Sequence, residues 1–461
     1  MSSKAKTQAG ILGLIGNTPM VELTQFDTGK CRLFVKLESQ NPGGSIKDRI
    51  ALYMIEEAEK AGRLKPGGTI IEATAGNTGL GLALIGALKG YKTILVVPDK
   101  MAREKVQHCK ALGADVRLTR SDVNKGHPAY YQDMAKRLAA ETGAFYIDQF
   151  NNNDNPSAHE KTTAPEIWAQ MGGQVDAIVC GVGSGGTVSG LYNYFHKASP
   201  KTEFILADPE GSILAPLVNE GKQVEAGSWL VEGIGEDFVP AILNIKAFKK
   251  AYSISDEESF HMCRELVEKE GILAGASSGT LVASALRYCH EQTESKHVVT
   301  FICDRGDKYL SKSFSDSWLK EQGFGDLQEK GTVEDIIMRR LDHNEIIFVR
   351  PTDTLLTAYK RMRVADVSQL PVLDENEALV GFLTEAGLLN ALNRKIKGQQ
   401  PVVDVMETDF DVFAIGLRLE GAARALETRQ QLIIKDNDKF VGLVTRVDLL
   451  NHLFLKAKQN G

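Results

Sequence analysis

The stretch "NPGGSIKDRI", residues 41–50, combines a turn, a helix start and a lysine in an unfavourable position. The two glycines predict a turn, Ser45 is a candidate N-cap, and Asp48 three residues later completes a capping box. Lys47 then falls in the first turn of a helix, at the positive end of the helix dipole, where a cation is disfavoured. Either Lys47 is an ordinary solvated lysine, or the protein uses a lysine that loses its proton easily, as a Schiff-base lysine does.

Composition is that of a soluble protein with more than one domain. The 461 residues exceed what one compact core usually contains, and 43% hydrophobic with 25% charged residues is ordinary. The net charge of −6 argues against a nucleic-acid partner. The six cysteines form no CxxC pair, and neither a membrane span nor a signal or transit peptide is evident. We therefore expect a cytoplasmic protein without membrane contact.

Short β-branched runs alternate with helix-length segments between about residues 31 and 303. The candidate strands are "CRLFVKLE" (31–38), "GTIIEA" (68–73), "KTILVVP" (92–98), "FYIDQ" (145–149), "DAIVCGVG" (176–183), "EFILADP" (203–209) and "HVVTFICD" (297–304). Candidate helices include Ala51–Ala61, Gly79–Lys89 and Lys105–Leu112. This alternation predicts an α/β fold whose parallel sheets are covered by helices and bind ligands at the carboxyl ends of their strands.

An internal repeat follows. "GFLTEAGLLNAL" (381–392) and "GLVTRVDLLNHL" (442–453) align without gaps, and a helix and a strand-like segment precede each copy. The pattern predicts a tandem β-α-β-β-α module joined by a linker rich in Gly, Gln, Glu and Lys. The predicted boundaries are 1–320 for a catalytic domain, 321–332 for the linker, and 333–398 and 399–461 for the two repeats.

Two glycine-rich loops follow predicted strands. In "EATAGNTGLGLAL" (72–84), the small residues from Thr74 to Gly79 leave helix-start N–H groups free, which suits a carboxylate, although a tight packing turn is equally compatible. "GVGSGGTVSG" (181–190) is typical of a phosphate cradle. It matches G-x-G-x-x-G only weakly and lacks the GK[ST] of a nucleotide loop, so one phosphate group is the better fit.

A third loop, "GILAGASSGT" (271–280), opens a helix with Ser277 and Ser278, and Ser277 is either a ligand or merely an N-cap. A reactive lysine, a phosphate cradle, a carboxylate loop and a neutral hydroxyl together match the needs of pyridoxal phosphate. A serine facing the pyridine nitrogen would leave that nitrogen largely unprotonated. This environment favours β-elimination and β-replacement over transamination.

The ordered motifs "IGNTPMVEL" (15–23), "NPGGSIKDR", "GNTG", "GSGGT" and "SSGT" resemble those of the fold type II, or β-family, pyridoxal-phosphate enzymes over roughly residues 10–320. Four further segments are most similar to the cystathionine β-synthase branch: "KALGADV" (110–116), "NPSAHEKTTAPEI" (155–167), "DPEGSIL" (208–214) and "VEGIGEDFVP" (231–240). The C-terminal repeats resemble paired CBS modules over about 333–455.

The resemblance implies a role for each matching residue. Lys47 would be the Schiff-base lysine and the base for the substrate Cα proton, Asn77 would bind the 3′-oxygen of the cofactor, and Ser277 would face its pyridine nitrogen. The phosphate would be bound by Gly183, Ser184, Gly185, Gly186 and Thr187. The substrate site would contain Thr74, Ala75, Gly76, Thr78, Gln149, Gly233 and Glu236. No metal is implied.

The sequence departs from the family at some positions. Ala75 stands where serine is usual, and Phe150 and Glu236 replace tyrosines of the animal enzymes. Glu236 would attract the amino group of homocysteine or would simply face solvent. The ten residues before Ile11 leave no room for a haem-binding segment, so we expect no haem.

The repeats differ in one acidic residue. "TRVD" supplies Thr445 and Asp448, the hydroxyl and carboxylate that such modules use on an adenosine ribose, whereas Gly387 replaces the acid in the first copy. One adenosyl site is therefore expected. The alternative is a purely structural repeat pair or one that holds a dimer.

The resemblance implies a lyase of cysteine biosynthesis, acting in transsulfuration and able to release hydrogen sulfide. It would condense L-serine, or O-acetylserine, with L-homocysteine to L-cystathionine as a homodimer or higher homo-oligomer. One alternative is a cysteine synthase that uses O-acetylserine and sulfide. The other is a nucleotide-sensing protein on an inactive scaffold, against which the intact Lys47 and Ser277 count.

Overall fold

The computed structural model describes residues 10–74, 76–99, 101, 103–123, 126–324, 330–341, 345–437 and 439–459. The chain divides into two compact units, one ending at Phe314 and the other beginning at Ser315. None of the helices in these ranges is long and apolar enough to cross a membrane.

Within the described residues, the first unit contains two sheets. Their strands are β1 (Met20–Glu22), β2 (Arg32–Lys36), β3 (Thr69–Ala73), β4 (Lys92–Pro98), β5 (Asp115–Thr119), β6 (Phe145–Tyr146), β7 (Ala177–Cys180), β8 (Glu203–Pro209), β9 (Phe248–Ile254) and β10 (His297–Phe301). The six-stranded sheet has the order β1-β2-β10-β7-β8-β9 and the four-stranded sheet the order β5-β4-β3-β6. All neighbours pair in parallel except β1, which is antiparallel to β2.

Helices connect these strands, as expected for a parallel α/β fold. They are α1 (Lys47–Lys60), α2 (Asn77–Lys89), α3 (Arg103–Ala111), α4 (Tyr131–Thr142), α5 (Asp154–Ala158), α6 (Ala164–Gln170), α7 (Gly186–Ala198), α8 (Leu214–Glu220), α9 (Asp256–Glu270) and α10 (Ala276–His290). The predicted α/β class is confirmed, and strands β4 and β8 have the predicted bounds. Strands β1, β5 and β9 were not predicted, because they are short or carry charged side chains that interrupt the apolar run.

The start of α1 corrects one prediction. The helix begins at Lys47, as expected, but its N-cap is Ile46 and no side chain caps it. Ser45 Oγ instead accepts a hydrogen bond from the Lys47 backbone N–H at 3.2 Å, and Asp48 Oδ2 accepts one from the Gly43 N–H at 2.5 Å. The predicted capping box is therefore wrong, because Asp48 closes the preceding glycine turn rather than the helix end.

The second unit contains the repeated module. It begins with α11 (Asp316–Glu321), continues through α12 (Leu355–Ala365), β11 (Gln369–Leu373), β12 (Leu379–Thr384) and α13 (Glu385–Asn393), and ends with β13 (Val412–Ala414), α14 (Leu419–Thr428), β14 (Gln431–Asp436), β15 (Lys439–Thr445) and α15 (Arg446–Gln459). In the first copy a parallel bridge from Val349 to Val372 takes the place of β13. Phe382 of one copy and Phe440 of the other lie in one core cluster. The predicted tandem repeat is confirmed. Residues 325–329 of the predicted linker lie outside the described residues.

A buried lysine anchors β2 to α6. The Lys36 side chain has no exposed surface. Its Nζ donates to the Thr18 carbonyl at 2.7 Å, to Glu166 Oε2 at 2.8 Å and to Gln170 Oε1 at 2.9 Å. All three ammonium protons therefore have acceptors, which is the condition for burying a lysine at tolerable cost.

An arginine connects this lysine site to α1. Arg49 Nε donates to Glu38 Oε2 at 2.7 Å, and Arg49 Nη2 donates to Glu166 Oε2 at 2.7 Å. Because Arg49 lies two residues after Lys47, these ion pairs fix the first turn of α1. The network therefore holds in place the helix end from which Lys47 projects.

Replacing the shared carboxylate should destabilise the first unit. Burial alone raises the pKa of Glu166, but hydrogen bonds and charge from Arg49 and a hydrogen bond from Lys36 lower it to about 2. This folded-state pKa is below the unfolded value of about 4.3, so the ion pairs stabilise the fold above that pH, and the stabilisation is lost as the pH falls toward 2. Glu166→Gln should cost about 3–5 kcal/mol at neutral pH in urea denaturation and flatten the acid limb of stability.

The exposed pair of Arg137 and Glu141 provides the control. Glu141→Gln should change stability by less than about 1 kcal/mol. Equal losses from the two substitutions would contradict a special role for the buried pair.

Candidate active site

A cavity of about 750 Å³ lies where strands β3, β4, β7 and β10 end. Loops at the carboxyl ends of parallel strands are the expected position for a ligand site. The predicted site residues in its wall are Lys47, Thr74, Gly76, Asn77, Thr78, Gln149, Gly183, Ser184, Gly185, Thr187, Gly233, Glu236 and Ser277. Gly186 begins the helix behind the wall, and Ala75 lies outside the described residues.

Lys47 is one of three lysines in the wall of this cavity, with Lys105 and Lys312. No hydrogen bond from the described residues reaches its Nζ, in contrast to the three that Lys36 makes. Burial lowers the pKa of Lys47, while the nearby Cys303 and Asp304 act in the opposite direction. The amine therefore gives up its proton more readily than a surface lysine does, as a nucleophile or base requires.

Asn77 is clamped by two charged side chains. Its Nδ2 donates to Asp304 Oδ2 at 2.8 Å, and its Oδ1 accepts from Lys308 Nζ at 2.9 Å. These partners fix which end of the amide is the donor. Tyr309 also donates to Asp304 Oδ2, at 2.7 Å, so Asp304 is held from two sides.

Asp304 and Lys308 were not predicted from the sequence. Both follow β10 directly, within the segment "ICDRGDKY" (302–309). The sequence could have indicated them, because β10 was predicted as a strand. Polar residues that follow a parallel strand lie at the same edge of the sheet as those that follow β3 and β7.

The loop after β7 forms a cradle whose glycine positions have no room for a side chain. A Cβ added at Gly183 would lie 2.7 Å from the Gly233 carbonyl oxygen, and one at Gly186 would lie 1.9 Å from Asn155 Oδ1. Gly185 has a φ of 85°, the left-handed region that favours glycine. The backbone N–H groups at the start of α7 can therefore approach an anion closely.

Buried polar residues support this cradle from behind. Asn155 Nδ2 donates to Ser184 Oγ at 2.9 Å, and His159 Nε2 lies 3.2 Å from Thr187 Oγ1. Burial lowers the pKa of His159 well below its usual value, and Arg49 and Lys47 lower it further. His159 is thus a neutral partner of the Thr187 hydroxyl.

Ser277 and the loop after β3 complete the wall. Ser277 is the second residue of α10, whose N-cap is Gly275, so the alternative that Ser277 is an N-cap is wrong. Burial raises the pKa of the Cys303 thiol to about 12, and the Ser277 hydroxyl acts in the opposite direction. Across the cavity, Thr78 Oγ1 donates to Gln149 Oε1 at 2.8 Å, which joins α2 to the segment after β6.

These groups fit pyridoxal phosphate. The glycine-rich cradle at Gly183–Thr187 matches a phosphate, the unpartnered Lys47 amine matches the aldehyde, and the clamped Asn77 amide holds a fixed orientation in the cavity wall. Ser277 would meet the ring as a neutral hydroxyl. Lys47 would hold the cofactor covalently, and the other three would orient it.

In the second unit, Thr445 and Asp448 interact with each other. Asp448 Oδ2 accepts from the Thr445 backbone N–H at 2.6 Å and from its hydroxyl at 2.7 Å. In the first copy the Thr384 hydroxyl accepts from the Gly387 N–H at 3.0 Å. The acid of the second copy thus caps the start of α15 through Oδ2, and no hydrogen bond from the described residues reaches Oδ1.

Comparison with known proteins assigns the family. Residues 11–304 match the family "Pyridoxal-phosphate dependent enzyme", and residues 333–394 and 402–455 match the CBS domain. The chain belongs to the pyridoxal-phosphate-dependent enzymes. The expected cofactor and the fold type II class with its CBS pair are confirmed.

The relatives of this pyridoxal-phosphate-dependent enzyme agree with the family. Cystathionine β-synthase of Mus musculus is 39% identical over 89% of this chain and 74% of its own length. Cystathionine β-synthase of Saccharomyces cerevisiae is 35% identical over 98% of this chain and 99% of its own. The solved O-acetylserine-dependent cystathionine β-synthase from Helicobacter pylori is 38% identical, has a TM-score of 0.61 and covers 67% of this chain and 98% of its own.

Filling the cradle should weaken cofactor binding. Gly186→Ala places a methyl group against Asn155 and should displace the first turn of α7 from the phosphate, with an overpacking cost of about 1–3 kcal/mol. Titration of the apoenzyme with pyridoxal phosphate, followed by fluorescence, should show a Kd raised about 5- to 100-fold. Gly416→Ala, where a Cβ meets nothing within 4 Å, is the control. An unchanged Kd for Gly186→Ala would contradict the cradle.

Proposed function

We propose that this chain is a lyase that condenses L-serine with L-homocysteine to L-cystathionine by β-replacement. The convergence of Lys47, Ser277 and the phosphate cradle on one cavity carries the proposal. Relatives that share nearly its whole length and are cystathionine β-synthases support it. The intact lysine and cradle argue against an inactive scaffold.

The residues divide the chemistry among them. Bound pyridoxal phosphate would supply an electron sink for the Cα–H bond of the amino-acid substrate. Lys47 Nζ, whose pKa is lowered by burial, would take the Cα proton, and the loop from Thr74 to Thr78 with Gln149 would hold the substrate carboxylate. Ser277, as a neutral hydroxyl, would avoid protonating the ring nitrogen. Departure of the β-hydroxyl would then leave Cβ open to the thiol of homocysteine.

The second candidate differs in the leaving group and the nucleophile. The relative from Helicobacter pylori is described as O-acetylserine dependent, so acetate rather than hydroxide is a leaving group that this scaffold supports. With sulfide as the nucleophile the same site would make cysteine. Both donors therefore belong in the test of function.

The proposed setting is the cytoplasm, where the enzyme would act in cysteine biosynthesis as a homodimer or higher homo-oligomer. The six cysteines are all free, and five of them are buried, as suits a reducing compartment. The repeats would bind an adenosyl compound at Thr445 and Asp448. The free carboxylate oxygen of Asp448 supports this proposal, and its capping role is compatible with a structural repeat.

The reaction can be tested by its products. Serine or O-acetylserine, each combined with homocysteine or sulfide, should yield cystathionine as the main product by mass spectrometry. Lys47→Ala should reduce kcat at least about 100-fold, since a positioned base alone contributes about 10²–10⁴-fold, and should remove the visible absorbance of the lysine-bound cofactor. Cysteine as the dominant product would favour the second candidate, and a Lys47→Ala enzyme with near-normal kcat would refute the role of the lysine.

The adenosyl site can be tested by calorimetry. S-adenosylmethionine or AMP should bind the wild-type chain, and Asp448→Ala should cost about 1–3 kcal/mol in binding because a ribose hydroxyl loses a charged acceptor. The matched variant is Glu385→Ala, an acid at the start of the equivalent helix α13, which should leave the affinity unchanged. Absence of heat with either ligand at millimolar concentration would mean that the repeats are structural.

A further inference from the structure

Glu236 is a carboxylate of the cavity wall that the proposed chemistry does not use. It lies in the loop between α8 and β9, on the same cavity as Lys47. Among the described side chains, none donates a hydrogen bond or offers a cation to its carboxylate, although its backbone is fully engaged. A carboxylate that is partly removed from water without a partner is costly, so its retention needs a reason.

The backbone beneath Glu236 is rigidly held. Its N–H donates to Ser212 Oγ at 3.1 Å, and its carbonyl accepts from the Ile213 N–H at 3.1 Å. The preceding Gly235 N–H donates to the Val182 carbonyl at 2.8 Å. Val182 belongs to the segment that leads into the phosphate cradle. The backbone that carries the Glu236 side chain is therefore held at a fixed place beside the cofactor site.

The charged groups that shift the pKa of Glu236 are both negative. Burial raises its pKa well above the usual value, and the negative charges of Asp237 and Asp208 raise it further. The phenols of Tyr130 and Tyr131 also face it and offer no positive charge.

The cations of the same cavity are already engaged. Lys105 Nζ and Lys312 Nζ both pair with Glu232, at 2.5 Å and 2.7 Å. In the proposed function, Lys47 binds the cofactor covalently. Glu236 therefore faces a space that would accept a positive charge and lacks one.

We infer that Glu236 receives the α-ammonium group of the second amino-acid substrate and so selects an amino-acid thiol over sulfide. The inference rests on the proposed function, because that reaction brings two amino acids into one cavity. The amino group of the first substrate is required at the cofactor, so the free ammonium belongs to the second. Homocysteine carries such a group, whereas sulfide does not.

An ammonium–carboxylate pair in this position would be favourable for two reasons. A charge-assisted hydrogen bond between ionised groups is stronger than a neutral one. The arriving cation also offsets the repulsion from Asp237 and Asp208, which is present in the free enzyme. The benefit exists only for a nucleophile with an amino group, which makes the effect one of specificity.

The test compares nucleophiles that differ in that group. Initial rates of the holoenzyme are measured with homocysteine, with 4-mercaptobutanoate, which is homocysteine without its amino group, and with sulfide. Glu236→Gln keeps the shape and removes the charge. It should raise KM for homocysteine about 10- to 100-fold, with KM for the other two nucleophiles and for serine unchanged within about threefold.

Glu225→Gln is the matched control, since it removes the charge of an exposed glutamate in the same loop that does not line this cavity. It should change KM for homocysteine less than about fivefold. Equal effects of Glu236→Gln on all three nucleophiles, or no effect on homocysteine, would overturn the inference while the wild type still makes cystathionine. A wild-type enzyme that makes no cystathionine would overturn the proposed function, and the inference with it.

Discussion

The removal of the Lys47 amine from water is the constraint on which the site depends. A lysine at the start of a helix, without a carboxylate partner, is unstable as a cation, and this instability makes it useful as a base. The cost is tolerable only if the helix end cannot move to rehydrate the amine. The buried pairs of Arg49 with Glu38 and Glu166 supply this rigidity, and Lys36 completes them.

A second buried network fixes the orientation of the ligands. Asp304 and Lys308 hold the two ends of the Asn77 amide, and Lys308 also donates to the carbonyl oxygens of Gly43 and Gly44 at 3.1 Å. The turn that precedes Lys47 and the loop that presents Asn77 are thereby joined through one ammonium group. Loss of any member would remove a hydrogen bond from a buried charge, so the network acts as one unit.

Two glutamates of one loop in the cavity wall have different roles. Glu232 forms ion pairs with two lysines, whereas Glu236, four residues later, has no partner among the described side chains. Neighbouring acids in one loop thus serve different ends, one in holding the site together and one in presenting charge to a ligand. Their difference arises from which cations the fold brings within reach. The residue type is the same in both cases.

Local features were predictable from the sequence. The glycine loop at 181–190 and the lysine at a helix start depend on residues adjacent in the chain, so short segments reveal them. The internal repeat is visible because its two copies share a sequence pattern. The parallel α/β class followed from the alternation of apolar runs. The Ser45–Asp48 capping box failed because two acceptors had alternative donors nearby, and the sequence does not rank them.

Only the tertiary structure decided the long-range partners. Asp304 and Lys308 reach Asn77 across more than 220 residues of chain, and His159 reaches Thr187 from another helix. The sequence also left open whether Glu236 faces solvent or the cavity, and the fold places it in the cavity wall. The physical reason is that burial and charge pairing depend on which strand ends meet at one sheet edge. The sequence by itself determined the chemical groups and their local backbone conformation. The packing of the sheets determined which of those groups are buried and which of them form ion pairs or hydrogen bonds.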